Sequence, residues 1–373
     1  MKKSVENVMM AATLPNKNIV SVASKFKIKK EQQIPQILRV GVIGVGLRGN
    51  HSYEQTLNKD PQVKILAVSH YDSASEVLAE NRAGKEYHKQ YAKELSAEYY
   101  SDYRSVLSRE DIDLIVLMCE PSKAFKLGKE CIDAGKHVLR DKPATKNPED
   151  SFELAEYAKQ KGKMFLVALP LRFYPVLQDV RNSIRSGQIG DVTTINMGYI
   201  WTNGPLQGFT ASQDYVDAFG GGDALSAGYH AVDYLNWIVN SKPVSVYAHM
   251  DTYFYKEYKE LSIEDFGQIS IQYENGVIAN LITGRCTAKR AGINWLDISG
   301  TAGTIDVRDF RSNFESDPLV RLGHSIVEAA ISKNYNDIAT GYEAAMTGAI
   351  LKYALRSSQT FSEQKVSIDW SVK

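Results

Sequence analysis

The sequence predicts an α/β protein of two unlike halves, a doubly wound parallel sheet followed by a domain built on an antiparallel sheet. Three observations carry this. Up to about residue 168, short runs apolar on both faces alternate with helical stretches, the pattern of strands buried in a parallel sheet. Beyond Pro170 the runs lengthen and partly alternate, as strands with one covered face do. Between two of them, Glu274-Asn275-Gly276 marks a tight hairpin, because Asn-Gly tolerates the positive φ such a turn needs.

Taken in order, residues 1–36 are polar and lysine-rich (Lys25, Lys27, Lys29, Lys30) and read as an extension or arm ending near Pro35. Strands follow at Ile37–Ile43, Val63–Val68, Leu114–Cys119, Lys136–Arg140 and Met164–Ala168. Helices fit Leu47–Leu57, Ser73–Lys85, Ser122–Ala134 and Pro148–Lys161, the last two closed by Gly135 and Gly162. In the second half the expected strands are Val192–Trp201, Val244–Asp251, Phe266–Tyr273, Val277–Thr283 and Trp295–Ile298, interrupted by helices over Asp223–Val239 and Ile338–Arg356. The division is an arm over 1–36, a first domain over 37–168 and a second over 169–373, in keeping with about 150 residues per domain for a chain of 373.

Composition narrows the function. Lys plus Arg and Asp plus Glu are 44 each, so the net charge is zero and no basic surface for nucleic acid or anionic membrane is expected. No apolar run is long enough for a membrane span, and the stretch Val8–Leu14 after Lys2-Lys3 is short for a secretory signal. Cys119, Cys131 and Cys286 are odd in number and lack metal-type spacing, which points to a reducing, cytoplasmic setting. Asp223, His230 and Asp233 could form an oxygen/nitrogen metal site, but their spacing is better explained by one helix face, so no metal is expected.

The chemistry starts at Val40-Gly41-Val42-Ile43-Gly44-Val45-Gly46-Leu47-Arg48-Gly49. Three glycines at this spacing are weak evidence alone, but here they follow a buried strand and open a helix, the context of a dinucleotide-binding Rossmann domain. Gly44 would allow the tight turn, Gly46 the approach of a pyrophosphate and Gly49 the close packing of helix on strand, with Leu47 and Arg48 presenting amides at the helix start. The acid that normally binds the ribose hydroxyls would stand about 20 residues on, where this chain has Ser69-His70-Tyr71-Asp72. Asp72 reaching the ribose would suit NAD, and His70 with Ser69 would suit the 2′-phosphate of NADP, so the choice between NAD and NADP is open.

A second segment, Ala134-Gly135-Lys136-His137-Val138-Leu139-Arg140-Asp141-Lys142-Pro143-Ala144, joins Arg172-Phe173-Tyr174-Pro175, Gly220-Gly221-Gly222, His230 with Asp233 and Trp237, and Ser299-Gly300-Thr301-Ala302-Gly303. With these motifs the chain resembles the glucose-fructose oxidoreductase/inositol dehydrogenase/MocA family over roughly residues 37–373. The resemblance implies a Rossmann domain plus a C-terminal α+β domain with a large, mostly antiparallel open sheet, which carries the substrate site and the contact of a homodimer or homotetramer. It implies NAD(P)-dependent hydride transfer at a secondary hydroxyl or carbonyl of a sugar, inositol or related polyol. Two alternatives stay open: a cofactor-retaining epimerase, sugar–sugar oxidoreductase or glycosidase, and a non-catalytic sensor of NAD(P) and sugar. Lys142 matches the lysine of the family's Glu-Lys-Pro motif, with Asp141 in place of the glutamate, and His230 matches its active-site histidine.

Those residue types suit the chemistry. Removing hydride from a carbinol carbon also requires loss of the hydroxyl proton, and histidine, with a pKa of about 6.5, is a fitting base. The Lys142 ammonium would stabilise alkoxide charge, and a cis bond to Pro143 would fix where it points. Family members commonly place an aspartate one helical turn before the histidine; this chain has Ser226 there. On the same helix face, a carboxylate is left to Asp223, which also suits a helix cap, or to Asp233, which also suits orienting His230. Glu120, in Glu120-Pro121-Ser122, stands where ligands bind at the end of a parallel strand, or else caps the next helix. Arg172, Tyr174, Trp201 and Asn203 complete the expected sugar contacts.

Overall fold

The computed structural model describes residues 37–44, 57–71, 85–202, 222–287, 294–311, 317–335 and 337–367, all within one unit, Ile34–Lys373. The expected arm 1–36 and most of the first two expected helices lie outside the described residues.

The first half runs β1 (Leu38–Ile43), β2 (Val63–Ser69), α1 (Lys85–Glu94), β3 (Glu98–Tyr100), α2 (Tyr103–Leu107), β4 (Leu114–Leu117), α3 (Pro121–Asp133), β5 (His137–Asp141), α4 (Pro148–Gln160) and β6 (Phe165–Ala168). A 3₁₀ turn over Pro170–Phe173 and α5 (Pro175–Arg185) lead into β7 (Val192–Trp201), α6 (Asp223–Val239), β8 (Pro243–Asp251), α7 (Lys256–Glu260), β9 (Phe266–Tyr273), β10 (Ile278–Arg285), β11 (Trp295–Gly300) and β12 (Thr304–Arg308). The chain ends with α8 (Pro318–Ser332), β13 (Ala339–Thr340), α9 (Gly341–Thr360) and β14 (Gln364–Lys365).

The first sheet has the order β13-β6-β5-β4-β1-β2-β3, with β1 to β6 parallel. Every residue of β4 and β6 is buried, which is why these strands carry no polar alternation. The chain winds outward from β1 to β3 and then back past β1 to β4, so the crevice at the carboxyl ends of β1 and β4 is the switch point where such sheets bind ligands.

The second sheet, β12-β11-β7-β10-β9-β8-β14, is antiparallel except for β7 against β10. Along β9, Gly267, Ile269, Ile271 and Tyr273 are buried while Gln268 and Gln272 are exposed, the alternation of a one-faced sheet. The inner face packs on α6 and α9 through Ile269, Ile271 and Leu281 against Ala227, Ala231 and Ile350. In the β9–β10 hairpin only Gly276 takes a positive φ (89°), and Asn275 Oδ1 accepts from the Val277 amide at 3.3 Å.

Two features differ from the sequence expectation. The last long helix starts at Gly341, not Ile338, because Thr340 and Glu343 form a capping box that fixes its first turn. Residues ahead of it return to the first sheet: Ala339 and Thr340 pair with β6, and α8 packs Leu322, Ile326 and Ala330 against Leu38, Val40 and Leu166. The second domain, drawn as 169–373, thus lends the first sheet an edge strand and a helix. No helix among the described residues is long and apolar enough to cross a membrane.

Candidate active site

At the carboxyl edge of the first sheet, Gly44 follows β1 with φ +78°, and a Cβ there would lie 1.8 Å from the Met118 carbonyl oxygen. Only glycine permits that approach of the turn to the end of β4. Gly46, Leu47, Arg48, Gly49 and Asp72 lie outside the described residues.

After β2 the expectation for Ser69 and His70 needs correction. Ser69 is wholly buried and its hydroxyl donates to the His70 carbonyl at 2.9 Å, so it faces inward rather than toward a phosphate. His70 stacks on Tyr99 with ring centroids 6.5 Å apart and lies 5.8 Å from the His88 ring, a packed position with one edge on the neighbouring cleft.

Glu120 begins α3 without a side-chain capping bond, which removes the capping alternative. Its carboxylate is 3% exposed; Oε2 accepts from the Tyr71 hydroxyl at 2.6 Å and Oε1 has no hydrogen-bond partner among the described residues. Beside it Arg140, which sequence reasoning missed, donates to the Leu117 and Cys119 carbonyls at 3.2 and 2.5 Å, and its Nε has no hydrogen-bond partner among the described residues. Buried polar atoms left in this way at a switch-point crevice fit the ribose hydroxyls and amide of a nicotinamide nucleotide.

Lys142 leaves β5 through a cis bond to Pro143 and is 2% exposed. Its Nζ donates to the Ser226 carbonyl at 2.7 Å and the Ser226 hydroxyl at 2.9 Å, and stands 5.9 Å from the centre of the Trp201 ring. Ser226, at the position where an aspartate is common in the family this chain resembles, thus offers the ammonium two neutral oxygens. His230 lies one turn further along α6, on the same face. Its ring meets Tyr199 edge-on at 6.2 Å, and Tyr199 continues into an aromatic wall with Trp201 (6.5 Å) and Phe310 (6.3 Å), the latter flanked by Tyr174 (6.4 Å).

Three expected site residues serve elsewhere. Arg172 does not reach toward a sugar: it is 1% exposed, with Nε and Nη2 on the two Asp233 oxygens at 2.7 and 2.5 Å and Nη1 on Glu343 at 2.8 Å. Asp233 is taken up by that fork and so does not orient His230. Burial opposes the Arg172 charge, but Asp233 and Glu343 outweigh it and hold its pKa above the ordinary value. Asp223 is neither cap nor sugar ligand. Gly222 holds the cap position, while Asp223 accepts from the Arg285 guanidinium and the Tyr258 hydroxyl. Arg285 in turn stands 5.2 Å from the Trp201 ring, opposite the strand end it pairs with. Asn203 lies outside the described residues.

Glu264 was also missed in the sequence, having no motif around it. Its Oε1 accepts from the Leu225 amide at 3.1 Å and its carbonyl from the Asp223 amide at 3.0 Å, so it satisfies the start of α6 that Gly222 has no side chain to cap. Burial pushes its carboxyl up to about 7, against the pull of three backbone amides. The folded pKa thus exceeds the unfolded value of 4.5, so the native state binds more protons between them and stability falls as pH rises through 7. We expect about 3 kcal/mol less stability at pH 8 than at pH 4.5 from this group. Glu264→Gln, which keeps the acceptor and removes the charge, should flatten that difference in urea titrations; an unchanged pH slope would exclude Glu264 as its source.

Among the described residues no group of three or more His, Cys, Asp or Glu is placed to hold a metal ion. The family model for the oxidoreductase family with an NAD-binding Rossmann fold matches residues 38–169, and that for the GFO/IDH/MocA C-terminal domain matches residues 177–306. An uncharacterised oxidoreductase of Synechocystis is 26% identical over 72% of this chain and 71% of its own length. The scyllo-inositol 2-dehydrogenase (NAD(+)) of Bacillus subtilis is 23% identical over 74% of this chain and 75% of its own. The crystal structure of myo-inositol 2-dehydrogenase from Lactobacillus plantarum superimposes with a TM-score of 0.74 at 19% identity, covering 89% of this chain and 100% of that one, and shows the same fold. The parallel sheet and the antiparallel sheet are thus matched in turn, and the chain belongs to the GFO/IDH/MocA family of NAD-binding oxidoreductases.

Proposed function

We propose that this oxidoreductase moves a hydride between NAD(P) and a secondary hydroxyl or carbonyl carbon of a sugar, an inositol or a related polyol. The observation that carries the reading is the meeting of Lys142 with Ser226, one turn before His230, beside the wall of Tyr199 and Trp201. When bound, the nicotinamide supplies the hydride acceptor or donor. Glu120 and Arg140 would hold its ribose and amide at the end of β4. The substrate hydroxyl would give its proton to His230, and the Lys142 ammonium, positioned by its bonds to Ser226, would stabilise the alkoxide that develops. Tyr199 and Trp201 offer ring faces to the C–H side of the substrate and narrow the access of water. Inositol dehydrogenases among the relatives support the substrate class.

The test is a panel of sugars, inositols and uronates incubated with the purified chain and each dinucleotide. Formation of NADH or NADPH with at least one polyol is expected, and lost on Lys142→Met. A panel that yields none in either direction would overturn the proposal.

A further inference from the structure

We propose that the polyol this chain oxidises carries a carboxylate, as a uronic or aldonic acid does, and that Arg311 binds that carboxylate; this rests on the oxidoreductase reading above. The segment after β12 is tied to the end of β7, where the aromatic wall of the site stands. The Phe310 amide donates to the Asn294 carbonyl at 3.2 Å, and Asn294 Oδ1 accepts from the Ile200 amide at 3.0 Å. Phe310, itself buried, stacks on Tyr199 at 6.3 Å and meets Tyr174 edge-on at 6.4 Å. The next residue, Arg311, is thereby set with its Cζ 5.6 Å from the centre of the Tyr199 ring. His230 meets the same ring edge-on at 6.2 Å. One phenol thus touches both the base and a cation, and a polyol lying against it with its reacting hydroxyl at His230 brings a second substituent beside the guanidinium.

What Arg311 touches decides what it can still bind. A guanidinium presents five N–H donors in a planar fork. Its partners among the described residues are phenols: the Tyr199 ring, and the Tyr174 hydroxyl, which accepts from it. A phenol is neutral at physiological pH and supplies no counter-charge. Arg311 is also exposed, so the rest of its fork is open to a ligand arriving from solvent. Arg172 and Arg285, in the same domain, show the opposite use: both are buried, and each spends its fork on an aspartate, Asp233 or Asp223. Those two pairs take up both acids of α6, so neither stands free to repel an anion at the site. A carboxylate fits one fork through two parallel charge-assisted bonds, whereas a phosphate ester, at about −1.5 to −2, calls for several cations. The single guanidinium on an aromatic wall therefore selects an acid sugar, its ring C–H groups on the phenols and its carboxylate on Arg311.

Matched pairs that differ at one carbon test this: D-glucuronate against D-glucose, D-galacturonate against D-galactose, and D-gluconate against D-glucitol, in steady-state assays of the full chain with each dinucleotide. In at least one pair the acid should have the higher kcat/KM by about tenfold or more, mostly through KM. That advantage should shrink as salt rises from about 0.05 to 0.5 M, because the guanidinium is exposed. Arg311→Gln should bring the acid to within about twofold of its neutral partner. Arg311→Lys, which keeps the charge and loses the fork, should fall between the two. Acids no better than their neutral partners, turnover confined to inositols, D-glucose 6-phosphate preferred to D-glucuronate, or an acid preference that survives Arg311→Gln would each overturn the proposal and leave the oxidoreductase reading standing. If no polyol of any kind is oxidised, both fall.

Discussion

Replacing Lys142 by methionine is expected to lower kcat/KM for polyol oxidation by about 10²–10³-fold, the usual cost of removing one preorganised donor from developing oxyanion charge. Methionine fills the same buried volume, so the fold should hold and the loss should fall on kcat. The geometry also predicts a graded series. Ser226→Ala removes only the hydroxyl acceptor at 2.9 Å and leaves the carbonyl at 2.7 Å to hold the ammonium, so it should cost less than about tenfold. His230→Ala removes the base itself and should cost about 10²–10⁴-fold. Steady-state kinetics on the best substrate of the panel decide it. If Ser226→Ala proved as damaging as Lys142→Met, the serine hydroxyl would be a reacting group and the ammonium's role would need to be reassigned.

Lys142 and His230 stood out as candidates in the sequence because they match motifs of the family the chain resembles, and each of those motifs is contiguous; a lone lysine before proline or a lone helix histidine would not have singled them out. Gly44 was legible for the same reason, since strand, turn and helix are contiguous. The misread residues share a different property. Arg172, Asp233 and Glu343 span 171 positions, and only the packing of α6 and α9 around the 3₁₀ turn brings them together. A helix face shows that Asp233 points the same way as His230 but not which cation has already claimed it. Asp223 is a like case, since its partner Arg285 lies 62 residues on, at the end of β10. The β7–β10 pairing that sets Arg285 opposite Trp201 is parallel and leaves no hairpin signature. The helix Pro318–Ser332 was missed because it covers the first sheet from the far end of the chain, where sequence order places it with the second.

The Arg172 cluster gives the largest expected change in stability. Arg172→Met should destabilise the fold by about 3–5 kcal/mol, since it strands the Asp233 carboxylate, 0% exposed, with no counter-charge. Glu343 contributes little to that penalty: its side chain is 41% exposed, and its other oxygen still accepts from the Thr340 amide at 2.9 Å, so it turns to water when the arginine goes. The double variant Arg172→Met/Asp233→Leu should therefore recover most of the loss, because two apolar side chains of similar volume replace a pair whose attraction mainly offsets its own desolvation. Urea titrations at neutral pH compare the three proteins, with an unchanged m-value as the check that the same unfolding is read. The double variant should also retain turnover, since neither residue touches the ammonium or the imidazole. A single variant that loses less than about 1 kcal/mol would mean that water reaches Asp233, and the pin between α6, α9 and the turn after β6 would then be a packing contact only.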